Sequence, residues 1–230
     1  MDNRMHNKTQ TGKGPQTSGA TLHRAAQYDL CSSLIGTGVN GANSRMVIEM
    51  AQIKPGDKVL DVGCGTGSLN RTAKKYAGPS GSAYGIDASP QMIEVACKKA
   101  RSSAYPAVFE VGLIEQIAYP AATFDIVISR LVIHHLPDDV KRRGFTEIWR
   151  VLKPGGRFFV ADFNKPSNSL LAQLTSAMVH HGMLESNVWV LPAMLSEAGF
   201  VDVSSGLTRS AFLAFVTGKK PATGSSTRLQ

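Results

Sequence analysis

Residues 59–69 read VLDVGCGTGSL, an apolar strand running straight into a turn with glycine at 63, 65 and 67. Glycine carries no Cβ, so a backbone this rich in it lets a ligand come close. A following helix would add the positive end of its dipole and its free amides. Three ligand types compete for such a loop: a phosphate, a dinucleotide, or a molecule with no phosphate at all. A phosphate-binding loop of the GxxxxGK type, followed by Ser or Thr, is not present. The dinucleotide pattern GxGxxG is missed as well, because the third glycine, Gly67, comes one residue early. Both phosphate readings lose ground.

Outward from the loop, β-rich and helical segments alternate. Strands are expected at 58–63, 82–87, 107–111, 124–129 and 157–162, with helices at 67–77, 90–102 and 139–152 between several of them. The last helix has Asp138 as its expected N-cap and Phe145, Ile148, Trp149 and Leu152 on one face. LKPGGR at 152–157 is read as its stop. Helices are also expected at 21–35, 44–53, 168–182 and 191–199, and two final strands at 200–206 and 210–217 read as an antiparallel hairpin at the sheet edge. This βαβα rhythm predicts an α/β fold, a parallel sheet with helices on both faces.

Composition sets the frame. The chain has 230 residues, 43% hydrophobic and 18% charged, enough for a single domain. Three parts are expected: a flexible polar tail over 1–20, one domain over 21–218 with a helical N-terminal cover at 21–53, and a flexible basic tail over 219–230. No apolar run reaches the ~20 residues that span a bilayer, and the first twenty residues lack the apolar centre of a secretory signal. A cytoplasmic location is the expectation. The formal charge of +8 sits largely at the ends, with a net +3 in residues 1–24 and +3 in residues 218–230, so it argues for solvated tails rather than a nucleic-acid groove. The cysteines, Cys31, Cys64 and Cys97, show no ligand spacing, so no metal site is expected. Cys64 is read as a small residue that fits the loop.

The next clue is GIDAS at 85–89, where Asp87 closes the second strand. In a parallel sheet the strand ends line the crevice that holds the glycine loop. A carboxylate there can accept hydrogen bonds from the two hydroxyls of a ribose, each charge-assisted bond being worth roughly 1.5–3 kcal/mol. The plainer reading makes Asp87 a helix N-cap. The former favours an adenosine-type ligand.

VLDVGCGTGSL, GIDASPQMIEVA, FDIVISRLVIHHLPD and RVLKPGGRFFVADF, in this order, resemble the class I S-adenosylmethionine-dependent methyltransferases, within them the small-molecule branch of the UbiE-like enzymes. The resemblance covers about residues 22–217. It implies a Rossmann-like seven-stranded sheet of order 3-2-1-4-5-7-6 with strand 7 antiparallel, S-adenosyl-L-methionine as cofactor, and a small organic methyl acceptor. By the same resemblance Asp61 and the Gly63-Cys64-Gly65 and Gly67 backbone surround the methionine part, and Asp87 holds the ribose. Ala88 and Met92 pack on the adenine; Ser129 and Arg130 bring backbone carbonyls near the amino group, and Tyr28 covers the methionine end. The family's usual Asp after strand three is replaced here by Leu113, leaving the Ile114 amide and Glu115 to meet the adenine ring.

Methyl transfer is an in-line displacement in which orientation supplies most of the rate, and a base is needed only for a protonated acceptor. His134 and His135, just after strand four, are the candidate bases. A second pair, His180 and His181, is expected to line the acceptor pocket with Trp189 and with Leu34 of the covering segment. The rivals are a methyltransferase acting on RNA or protein, a cofactor-binding module without turnover, and, last, a nicotinamide oxidoreductase.

Overall fold

The computed structural model describes residues 41–164, 188–210 and 213–222. The helices expected at 21–35 and 168–182, and Tyr28, Leu34, His180 and His181 with them, lie outside the described residues. In chain order the elements are α1 (Gly41–Ala51), β1 (Lys58–Val62), α2 (Ser68–Ala77), β2 (Ser82–Asp87), α3 (Pro90–Arg101), β3 (Val108–Val111), β4 (Phe124–Arg130), α4 (Asp138–Val151), β5 (Leu152–Phe163), α5 (Leu191–Glu197), β6 (Val201–Leu207) and β7 (Leu213–Lys219). Short 3₁₀ turns cover Ile133–His135 and Val188–Val190.

The seven strands form one sheet in the order β3-β2-β1-β4-β5-β7-β6, the order expected. β1 to β5 run parallel, and β7 runs antiparallel to both β5 and β6. Successive side chains along a strand point to opposite faces, and the two cores follow from that alternation. Leu60, Val127, Phe158 and Val160 pack on one face with Phe145 and Ile148 of α4 and Leu191 and Leu195 of α5. Val59, Ile128, Phe159 and Ala161 pack on the other with Val47 and Ile48 of α1 and Leu69 and Ala73 of α2. α3 seats Ile93 and Ala96 against Phe109 of β3.

Three local expectations are corrected. Asp138 is the first residue of α4 rather than its cap; Pro137 holds the cap position without a side-chain bond, and Asp138 instead accepts from Lys141 at 2.9 Å. LKPGGR does stop the helix, yet the chain enters β5 at once: Leu152 pairs with Phe124 before an irregularity in register restores pairing at Ile126↔Arg157. Gly155, at φ 78°, sits within that irregularity, in the left-handed region that glycine tolerates. Lys219 and Lys220, expected in the flexible tail, belong to the fold. Lys219 ends β7 and pairs with Asp202 at 2.9 Å. Lys220 Nζ donates to the carbonyls of Trp149 and Leu152 at 2.9 and 2.8 Å, closing the C-terminus of α4.

Candidate active site

The parallel strands β1, β2, β4 and β5 deliver their carboxyl ends to one edge of the sheet, so Asp61, Asp87, Arg130 and Asp162 arrive there together. The glycine loop crosses this edge between β1 and α2. Its glycines at 63, 65 and 67 all have positive φ, at 72°, 52° and 77°. A Cβ at Gly63 would stand 2.4 Å from the Val132 side chain, and one at Gly67 2.5 Å from Phe109. The loop is thus fixed by conformation and by space.

Its amides answer the question of ligand type. Gly63 and Cys64 donate to the Ile86 carbonyl at 2.8 and 3.0 Å, and Gly67 donates to Cys64 O at 2.9 Å. Gly65 donates to Asp87 Oδ2 at 2.9 Å. Four amides that a phosphate cradle would aim at its ligand are engaged by the protein itself. These four amides are thereby withheld from an anion.

Asp87 is anchored at both oxygens, Oδ2 by Gly65 and Oδ1 by the Ser89 amide at 2.9 Å. Burial raises its pKa, and the two backbone bonds oppose that. Each carboxylate oxygen keeps a second lone pair for a hydroxyl partner. The helix N-cap is Ser89, whose hydroxyl accepts from the Met92 amide at 3.4 Å. Met92 itself is buried and Ala88 half-buried. The Gly112 amide donates to the Asp87 carbonyl at 3.0 Å, drawing the turn of Leu113, Ile114 and Glu115 to the same place. Ile114 is buried there, while Leu113 and Glu115 are half-buried.

Asp61 is 1% exposed, and its Oδ2 has no hydrogen-bond partner among the described residues. Burial raises its carboxyl to about 7; Arg130 opposes the shift and Asp87 adds to it. The Arg130 guanidinium bridges Ser44 Oγ of α1 at 3.0 Å and Ser68 Oγ of α2 at 3.2 Å. Ser129 turns its hydroxyl to the Val62 carbonyl at 2.9 Å, locking β4 to β1. Cys64 is buried, and burial, with Asp61 and Asp87 nearby, pushes its thiol well above its ordinary range. It is a packing residue of the loop.

Beside these, His134 and His135 lie in the 3₁₀ turn after β4 with ring centroids 3.9 Å apart. His134 is buried and its Nδ1 lies 2.5 Å from Asp162 Oδ1. Asp162 also accepts the amides of His134 at 3.0 Å and Phe163 at 2.8 Å. His135 is half-buried; burial and then the neighbouring His134 lower its pKa to about 4, so it is neutral at physiological pH. Trp189 stands 44% exposed in the turn before α5. The residues missed in the sequence are Ser44, Ser68 and Asp162. Asp162 carried a usable signal, a carboxylate closing an apolar strand as Asp87 does; the two serines carried none.

A seven-stranded sheet of this order with a glycine loop after β1 and an acidic residue after β2 defines the class I methyltransferase architecture. The family described as a methyltransferase domain matches residues 53–199, and the chain belongs to it. The chain is 32% identical over 152 residues to a ubiquinone/menaquinone biosynthesis C-methyltransferase of Ectopseudomonas mendocina, covering 65% of this chain and 59% of that protein. A namesake from Burkholderia vietnamiensis is 31% identical, covering 68% and 63%. The chain thus spans under two thirds of these curated relatives. Among solved structures, an S-adenosylmethionine-dependent methyltransferase from Aquifex aeolicus has a TM-score of 0.62 at 22% identity, covering 77% of this chain and 89% of that one. A phosphoethanolamine N-methyltransferase from Haemonchus contortus, in complex with S-adenosyl-L-methionine, has 0.67 at 17%, covering 86% and 56%. The [4+2]-cyclase SpnF has 0.65 at 18%, covering 90% and 100%. These structural likenesses speak for the fold.

Proposed function

We propose that the chain binds S-adenosyl-L-methionine at the carboxyl edge of β1, β2 and β4 and transfers its methyl group to a small organic acceptor. The observation that carries this reading is the glycine loop whose amides are engaged internally, set beside a carboxylate anchored at both oxygens. That pairing suits a nucleoside without phosphate. The residues present fit the rest of the cofactor as well: the buried, unpartnered Asp61 Oδ2 is an acceptor suited to the ammonium of the methionine portion. Asp87 would hold the ribose, and Met92, Ala88 and the 113–115 turn would border the adenine. When bound, the cofactor supplies a methyl group on a positively charged sulfur.

What the chain contributes is orientation and dryness. Asp61 and Arg130 stand at the ends of β1 and β4 beside the loop, where Ser129 and Ile133 are buried. The relatives' C-methyltransferase name makes a conjugated ring a natural acceptor. The RNA or protein reading loses part of its motive, since Lys219 and Lys220 are bonded within the fold. Calorimetric titration with S-adenosylhomocysteine tests the proposal. Binding that falls 10- to 150-fold in Asp87→Asn is the expected result, the loss of one or two charge-assisted bonds; unchanged affinity in that variant would overturn the site.

A further inference from the structure

Two buried polar side chains beside the glycine loop have atoms without a hydrogen-bond partner among the described residues: Asp61 at Oδ2, and Asn70 at both Nδ2 and Oδ1. Cofactor binding gives Asp61 a use and Asn70 none. The sheet places the two side by side. Asp61 of β1 pairs in register with Gly85 of β2, two residues beyond the Val59↔Ala83 pair whose side chains pack on Leu69 and Ala73 of α2. Alternation along the strands therefore puts Asp61 and Gly85 on the α2 face as well. Asn70 lies in the first turn of α2, and a Cβ at Gly85 would stand 2.7 Å from its Nδ2 and 2.9 Å from Cys64 Cβ. Glycine at 85 thus lets the Asn70 amide come down onto the sheet, one strand spacing of about 4.8 Å from Asp61. The two groups are this close and yet share no direct bond. A buried amide unpaired at both ends is unfavourable, and proteins resolve such groups with ordered water where a site is polar.

We propose that α2 and the glycine loop enclose a water molecule that accepts from Asn70 Nδ2 and donates to Asp61 Oδ2, and that Asn70 is thereby the positioning residue for the carboxylate that meets the ammonium of the cofactor. The ammonium rests on the methyltransferase reading above; the water does not. Oδ2 has two lone-pair directions, so water and ammonium can share it. Charge selects water over an ion. A cation would face the hydrogens of Nδ2 with Arg130 nearby, and an anion would face Asp61 and Asp87.

The charged and titratable groups acting on Asp61 are Arg130 at the end of β4, Asp87 at the end of β2 and the Cys64 thiol of the loop. On the two helices packed against this face, Arg45 and Glu49 of α1 are exposed, and Arg71 of α2 donates to the Thr66 carbonyl at 3.0 Å. Lys74 and Lys75 stand in the last turn, at the far end of α2. What α2 brings to Asp61 is the neutral amide of Asn70. A hydrogen bond given to an ionised carboxylate favours that form. Loss of Asn70 should therefore make Asp61 take up its proton at a higher pH, and the cofactor should weaken at a higher pH with it.

The test compares the full chain with Asn70→Leu, which keeps the shape of the side chain and removes both polar atoms. Oxygen-17 relaxation dispersion of the solvent counts long-lived internal waters, and the carboxyl resonance of ¹³C-labelled aspartate follows Asp61. The expected result is at least one internal water fewer in the variant and an Asp61 midpoint higher by at least about half a unit. Affinity for S-adenosylhomocysteine should be about threefold weaker in the variant at pH 6 and about equal at pH 8.5. Equal water counts or an unmoved midpoint overturns the proposal. Affinity lost equally at both pH values overturns the positioning role, since it would mark Asn70 as structural only. If the variant does not fold, a high-resolution crystal structure of the wild-type chain decides. An ordered water within hydrogen-bond distance of both side chains upholds the proposal, and dry or direct contact between them overturns it. A wild-type chain that binds no S-adenosylhomocysteine would instead sink the methyltransferase reading, while the water count and the Asp61 titration still judge this one.

Discussion

At the scale of single residues, Asp61 carries opposed demands. Its folded-state pKa of about 7 lies above the ordinary 3.8, so the unfolded chain releases this proton first as pH rises. Asp61 therefore weakens the fold progressively between about pH 4 and 7, and the full penalty persists above 7. The shift of about three units corresponds to at most about 4 kcal/mol. Asp61→Asn should raise the melting temperature at pH 8 and leave it little changed at pH 4, while weakening S-adenosylmethionine binding. A lower melting temperature at pH 8 would show that the carboxylate is compensated. The same titration predicts that wild-type affinity for the cofactor falls from pH 7 to 6, by up to about tenfold, because the cation prefers the ionised carboxylate. Calorimetry in buffers of different ionisation enthalpy should detect proton release on binding near pH 7; binding with no proton exchange there would contradict it. Gly67→Ala tests the loop, since its Cβ would meet Phe109 at 2.5 Å with φ at 77°. Overpacking and left-handed backbone together predict a loss of about 2–4 kcal/mol, read by urea unfolding.

At the scale of elements, the junction of α4, β5 and β7 shows where sequence reasoning falls short. The alternating apolar runs and the glycine loop made β1 to β5 legible, because burial on both sheet faces demands those runs. The entry into β5 was not, because Pro154, Gly155 and Gly156 look like a turn and their pairing with the chain beyond β7 is non-local. The Gly155 amide reaches the Lys220 carbonyl at 2.9 Å, and Lys220 N returns to Gly156 O at 2.8 Å. Lys220 Nζ also lies 4.0 Å from the Trp149 ring centre. A lysine near a chain end carries no mark that it will cap a helix seventy residues earlier. Lys220→Met should cost about 1–3 kcal/mol through the lost charge-assisted bonds, lowering the melting temperature by several degrees; an unchanged melting temperature would place this lysine back in the tail. In the site, Asp87 was legible from its place at a strand end, and its two backbone anchors were not. The partnership of His134 with Asp162 joins the turn after β4 to the end of β5, which no local pattern reveals.

At the scale of the whole molecule, the fold sets glycine loop, carboxylates and histidine pair on one edge because five strands run the same way. The reading that joins them is methyl transfer from S-adenosylmethionine to a small acceptor. SpnF, named as a cyclase, shares the architecture, so the fold alone does not establish methyl transfer. The direct measurement is transfer of label from methyl-labelled S-adenosylmethionine into fractionated cell extract by the full chain. Label in the small-metabolite fraction, lost in Asp87→Asn, is the predicted result. Label confined to RNA or protein, or tight cofactor binding with no transfer to any fraction, would contradict it.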